Sequence, residues 1–136
     1  MYNRILVPIA IEHISHANAS LDVARQLLKP GGEISLLNVI EDLPTFAQNY
    51  IPKGTLEANH AHAVKAMDAL AQGTGHNYDV AVIHGKPNLA ILEHADKIGA
   101  DCIVIASHKP GLEDYFIGST AARIVRQAKC CVHVLR

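Results

Sequence analysis

The residues best suited to chemistry lie together near the C-terminus, in "ASHKPGLEDYFIGST", residues 106 to 120. Ala106 and Ser107 are small enough to let a ligand approach the backbone, and Gly111, after Pro110, can take a positive φ. Gly118, Ser119 and Thr120 open a predicted helix, where free N–H groups, the positive end of the helix dipole and two hydroxyls favour an anion. Phosphate is the natural guest of such a start. Lys109 can add a point charge for a β- or γ-phosphate, and His108 stands beside it. A plainer reading of the same residues is that Gly118 and Ser119 merely cap the helix. The segment contains neither the Gly-Lys-Ser/Thr of a Walker loop nor the Gly-x-Gly-x-x-Gly of dinucleotide folds.

Other reactive residues converge less well. His60 and His62 fall two apart on a predicted helix and so face different ways. His13 and His16 could share an ion if their segment were helical, but no third ligand is evident, so the pair reads as solvated loop. Ser107, His108 and Asp114 lack the strained elbow that a nucleophilic serine requires. Without a base aimed at water, hydrolysis of a bound phosphate ester is expected to be slow or absent. Cys102, Cys130 and Cys131 each lie in a strand-like run and are read as reduced core thiols, with a redox or metal role as the alternative, and His133 as a sheet residue.

The elements that must position these groups alternate. "RILVPI" is an apolar strand suited to cover on both faces. A helix follows in "SHANASLDVARQLLKPGG", with Ser15 as N-cap and Pro30-Gly31-Gly32 as its end. "EISLLNVI" is the second strand, residues 41 to about 54 are a polar connection, and a helix from about Thr55 to Gln72 places Ala63, Met67 and Leu70 on one face. "YDVAVIHG", the helix "KPNLAILEHADKIG", "DCIVIAS", the helix "STAARIVRQA" and "CVHVLR" complete the chain.

Strict β-α alternation without a linker predicts one doubly wound, Rossmann-like α/β domain over residues 1–136: a five-stranded parallel sheet of order 3-2-1-4-5 with helices on both faces. Its switch point falls between strands one and four, so Pro8, Ile9 and Ala10 should face Ala106 to Lys109 across a crevice. If the last strand is the sheet edge, "CVHVL" offers unpaired backbone groups that a two-fold partner could match.

Composition narrows the function. With 12 Lys and Arg against 13 Asp and Glu, the net charge is −1, and no basic stripe invites nucleic acid. No apolar run is long enough for a membrane span, and the first strand leaves no room for a signal peptide, so the expected location is cytoplasmic.

Along its whole length the chain resembles bacterial universal stress proteins. "RILVPI" is similar to that family's opening, "LLNVIED" to the end of its second strand, "HGKPNLAILEHADKIGADCIVIAS" to its third β-α-β passage, and "FIGSTAARIVRQAKCCVHVLR" to its closing signature. Nucleotide-binding members carry Gly-x-x-Gly, nine residues, then Gly-Ser or Gly-Thr. Here Ala106 and Lys109 stand at the two early glycines, and eight residues precede Gly118. Ser107, Pro110, Gly118 and Ser119 fit a subgroup that resembles the enterobacterial F and G types. ATP-binding members have Asp where this chain has Ala10, which removes a hydrogen bond worth about 1 kcal/mol.

The resemblance implies ATP in the crevice. Pro8, Ile9 and Ala10 would border adenine and ribose, and Val39 would contact adenine through its backbone. Ala106, Ser107, His108, Lys109, Pro110 and Gly111 would wrap the ribose and first phosphates, and Gly118, Ser119 and Thr120 would hold the later ones. Glu113 and Asp114 would repel a triphosphate unless Mg²⁺ intervened, and are expected to face solvent. The same resemblance implies a homodimer through the last strand and a regulatory, nucleotide-responsive role in the stress response. A protein acting through contacts without nucleotide and a slow ATPase are the rival readings.

Overall fold

The computed structural model describes residues 1–107 and 117–136. Five parallel strands form one sheet in the order β3-β2-β1-β4-β5, the arrangement that the alternation predicts. The strands are β1 (Tyr2–Pro8), β2 (Leu28–Glu41), β3 (Asp79–Gly85), β4 (Cys102–Ala106) and β5 (Cys131–Leu135). The helices are α1 (Ala17–Leu27), a short α2 (Thr45–Gln48), α3 (Thr55–Gln72), α4 (Pro87–Ile98) and α5 (Ser119–Gln127).

Alternate side chains of the sheet build two cores. On one face Ile5, Val7, Leu36 and Val104 pack under Leu21 and Ala24 of α1 and Met67 of α3. On the other, Leu6, Leu37, Ile103 and Ile105 meet Ile91 and Ala95 of α4 and Ala121 and Ile124 of α5. Burial on both sides explains why β1 and β4 read as unbroken apolar runs rather than alternating ones.

Three local readings need correction. Ser15 does not cap α1: a 3₁₀ segment, Ile11–His16, precedes the helix, and His16 occupies the capping position without a side-chain cap hydrogen bond. Ile11 and Ile14 pack onto the core, so apolar burial starts the turn early. Secondly, Pro30-Gly31-Gly32 does not end the helix, because α1 stops at Leu27 and β2 begins at Leu28, with a register irregularity opposite Tyr2 and Arg4. Gly32 belongs there because a Cβ would come within 2.8 Å of the Asn3 carbonyl oxygen in β1. Finally, the cysteines are not all core thiols: Cys102 is buried, Cys130 half-buried and Cys131 exposed. β5 lies at the sheet edge, where cover by helices runs out.

The sheet's central pair is pinned at its base. Asp101 accepts hydrogen bonds from the backbone N–H of Asn3 (2.8 Å) and Arg4 (2.9 Å), while its own N–H donates to the Arg4 carbonyl (2.9 Å). Desolvation pushes the Asp101 carboxyl upward, but these amides outweigh it and leave its pKa below the usual aspartate value. A depressed carboxylate stabilises the fold above its unfolded pKa and loses that contribution as pH falls through its folded one. We therefore expect Asp101→Ala to lower unfolding free energy by about 1–2 kcal/mol at pH 7, given the part-exposed setting. In urea titrations the difference from the parent should shrink once the pH is well below the ordinary carboxylate range.

Candidate functional site

Where β1 and β4 end side by side, their crossovers leave for opposite faces: α1 for one and α5 for the other. A cavity of about 640 Å³ opens there. Pro8, Ile9, Ala10, Val39, Ala106 and Thr120, all expected from the sequence, line it. Ile9 is buried and fixed from two sides. Its N–H donates to the Leu37 carbonyl (2.8 Å), and the Asn38 side-chain amide donates to its carbonyl (2.9 Å). Asn38 is itself buried, so this bond holds the turn after β1 against β2 and shapes one wall. Val39 lines the crevice because β2 runs on past the end of β1, where Pro8 pairs with Leu37.

The opposite wall is tied differently. The Ser107 N–H donates to the Leu135 carbonyl (2.7 Å), and the Ser107 hydroxyl oxygen accepts from the Gly118 N–H (2.7 Å). Ser107 thus joins the ends of β4 and β5 to the start of α5. The bond brings the two halves of the predicted loop together, as expected, but it occupies the Gly118 amide that the sequence reading reserved for phosphate. The amides of Ser119, Thr120 and Ala121 begin the helix without a side-chain cap bond. Ser119 is exposed, and Thr120 is half-buried against the cavity. His108, Lys109, Pro110 and Gly111 lie outside the described residues, as do Glu113 and Asp114.

Electrostatics favour an anion in this crevice. Ala17, Pro87 and Thr120 all line it, so the first turns of α1, α4 and α5 direct their positive ends toward one volume. Neither α1 nor α4 is closed by a side-chain cap bond. Glu12 and Glu41 sit on the rim with the opposite sign, among the imidazoles of His13, His16 and His62.

The rim residues are what the sequence reading missed. His13 and His16, read as a solvated pair, border the cavity with ring centroids 6.4 Å apart. His62 does so from α3, while His60 faces away and meets His84 of β3, with Nδ1 and Nε2 3.2 Å apart. Among the described residues no group of three His, Cys, Asp or Glu is placed to hold a metal ion. The available signal was the two-residue offset of His60 and His62, which already assigned them to different faces.

A sequence model described as the universal stress protein family matches residues 1–136. A universal stress protein of Methanocaldococcus jannaschii is 26% identical over 147 residues, covering 100% of this chain and 83% of the relative. Universal stress protein G of Shigella flexneri is 23% identical over 142 residues, covering both chains completely. Among solved structures, UspA from Lactobacillus plantarum aligns with a TM-score of 0.77 at 25% identity, over 99% of this chain and 98% of that one. Two more distant structures share the fold: a universal stress protein in complex with cAMP (TM-score 0.65, 18% identity, 99% and 97% covered) and one from Arabidopsis thaliana with AMP bound (0.66, 15%, 98% and 90%). With its family signature matched from end to end and the expected strand order in place, the chain belongs to the universal stress protein family.

Proposed function

We propose that the chain binds an adenine nucleotide, ATP above all, in the crevice between β1 and β4, and acts as a cytoplasmic, nucleotide-responsive regulatory factor rather than a catalyst. The observation that carries this reading is the cavity itself. Its volume of about 640 Å³ falls in the range of small-molecule sites, and three helix starts border it. The neighbours solved with cAMP and AMP support it. On this reading Pro8, Ile9, Ala10 and Val39 take the base and ribose. Ala106 and Ser107, with His108, Lys109, Pro110 and Gly111 beyond the described residues, surround the first phosphates. The opening of α5 takes the later ones through Ser119 and Thr120, beside Gly118. Mg²⁺ would accompany a triphosphate, since Glu12 and Glu41 share the rim and a divalent cation relieves their repulsion.

Two features speak for the rival without nucleotide, in which the protein works through contacts alone: Ala10 lacks a carboxylate, and the Gly118 amide is already bonded. Native mass spectrometry of the purified protein, followed by calorimetric titration with ATP, AMP and cAMP, separates the readings. Bound or titratable adenine nucleotide is expected. No binding, with no thermal shift on adding MgATP, would leave only the rival. Steady phosphate release that Lys109→Ala abolishes would instead mark a slow ATPase. Ala10→Asp should tighten ATP about fivefold, the equivalent of about 1 kcal/mol. Ser119→Glu should weaken it at least about tenfold with an unchanged circular dichroism spectrum, because a carboxylate enters beside the phosphate amides.

The proposed assembly is a homodimer through β5. The Leu135 carbonyl points to β4, where it accepts from Ser107. Backbone groups alternate sides along a strand, so those of Val132 and Val134 face the open edge. Val134→Pro removes an outward N–H without touching the β4 ladder, and should convert the dimer to a monomer in sedimentation velocity.

A further inference from the structure

The three thiols outside the crevice occupy unequal positions on neighbouring strands. Cys102 of β4 and Cys131 of β5 are direct register partners. Cys102 and Val104 belong to the core under α1, whereas Val132 and Val134 pack into the core under α4 and α5. Successive side chains alternate faces, so Cys131 stands on the same face as Cys102, and Cys130 turns to the opposite one. Adjacent strands run about 4.7–4.9 Å apart, inside the Cα separation of about 4.4–6.8 Å that a disulfide spans.

We propose that Cys102 and Cys131 are a thiol pair that a hydroperoxide converts reversibly into a cross-strand disulfide. Their surroundings divide the roles. Cys131 is exposed, and the Tyr2 hydroxyl is hydrogen-bonded to its sulfur. That bond, followed by desolvation, pushes the Tyr2 phenol up to about 12, so it remains a donor at neutral pH. Burial, followed by the neighbouring thiols Cys130 and Cys131, pushes Cys102 up to about 11, so it stays protonated until its partner is oxidised. Cys131 thiolate attacks one peroxide oxygen; the O–O bond breaks, an alcohol or water leaves, and Cys131 becomes a sulfenic acid. The Cys102 sulfur then displaces the hydroxyl, which departs as water with the Cys102 proton. The two thiols have given two electrons to the peroxide. Side chains rising in parallel from strands about 4.7–4.9 Å apart must lean together to reach the Cβ separation of about 3.5–4.5 Å in a disulfide, so the bond is strained and a dithiol reopens it. Because Cys131 stands on the face of the sheet, pairing at the β5 edge leaves it accessible.

Peroxide treatment of the full-length protein, followed by thiol titration and non-reducing peptide mass spectrometry, tests this. The free thiols should fall from three to one and return with dithiothreitol, in a species still the size of one chain on a non-reducing denaturing gel. Cys130→Ser should keep the 102–131 link, Cys131→Ser should abolish it, and Cys102→Ala should leave Cys131 as a sulfenic acid that dimedone traps. Tyr2→Phe should slow the reaction severalfold without changing which bond forms. An unchanged thiol count, a Cys130–Cys131 link, a link between chains, or a 102–130 link would overturn the proposal. Cys131→Ser alters only an exposed side chain, so the test stands even if Cys102→Ala fails to fold.

Discussion

A right-handed crossover must lay its helix over one face of a sheet, and a chain whose first strand ends up near the centre must therefore cover both faces in turn. At the boundary between β1 and β4 the two crossovers part, and the backbone cannot fill the gap between them. The crevice depends on that adjacency. Asp101, just before β4, holds it at the base of the sheet, where its carboxylate accepts two amides of β1 and its own N–H donates back to the Arg4 carbonyl to complete the clasp. At the other end Asn38 fixes Ile9, so the wall after β1 is as well determined as the strand that leads into it.

The crevice balances two uses of the same backbone groups. Helix starts attract an anion because their first amides have no partner within the helix. The protein satisfies one of those amides internally, through Ser107 and Gly118, and places Thr120 of the α5 start on the cavity. The internal bond ties the loop's two ends together and leaves one fewer free amide at the helix start. Glutamates and histidines at the rim then tune a volume whose depth is apolar, lined by Ile9, Leu37, Ile91 and Ile105.

At the opposite side of the sheet, β5 serves through two different surfaces. Its outward backbone is an edge that invites a partner strand, while the face carrying Cys131 and His133 lies beyond the cover of α1. Its last carbonyl is bonded to Ser107, which in turn meets Gly118, so the edge strand and the crevice wall share a short chain of hydrogen bonds.

The fold and part of the site were legible because they rest on local signals. Unbroken apolar runs such as Ile5–Val7 and Cys102–Ile105 could only be strands covered on both sides, and the helical spacing of Ala63, Met67 and Leu70 named a buried face before any packing was known. Pro8, Ile9, Ala10, Ala106 and Thr120 followed from the ends of those strands and the start of the last helix, and Val39 from the family resemblance. The sequence by itself thus determined the order of elements and the small residues at their ends, since periodicity and chain punctuation are properties of neighbours along the chain, whereas the strand order that makes β1 and β4 neighbours was an expectation for this pattern that the sheet bears out. Which hydrogen bonds close the wall, which histidines reach the rim and which cysteine is exposed were decided only in three dimensions. Those outcomes depend on residues far apart in sequence competing for the same space and the same backbone donors, as Ser107 does when it takes the Gly118 amide.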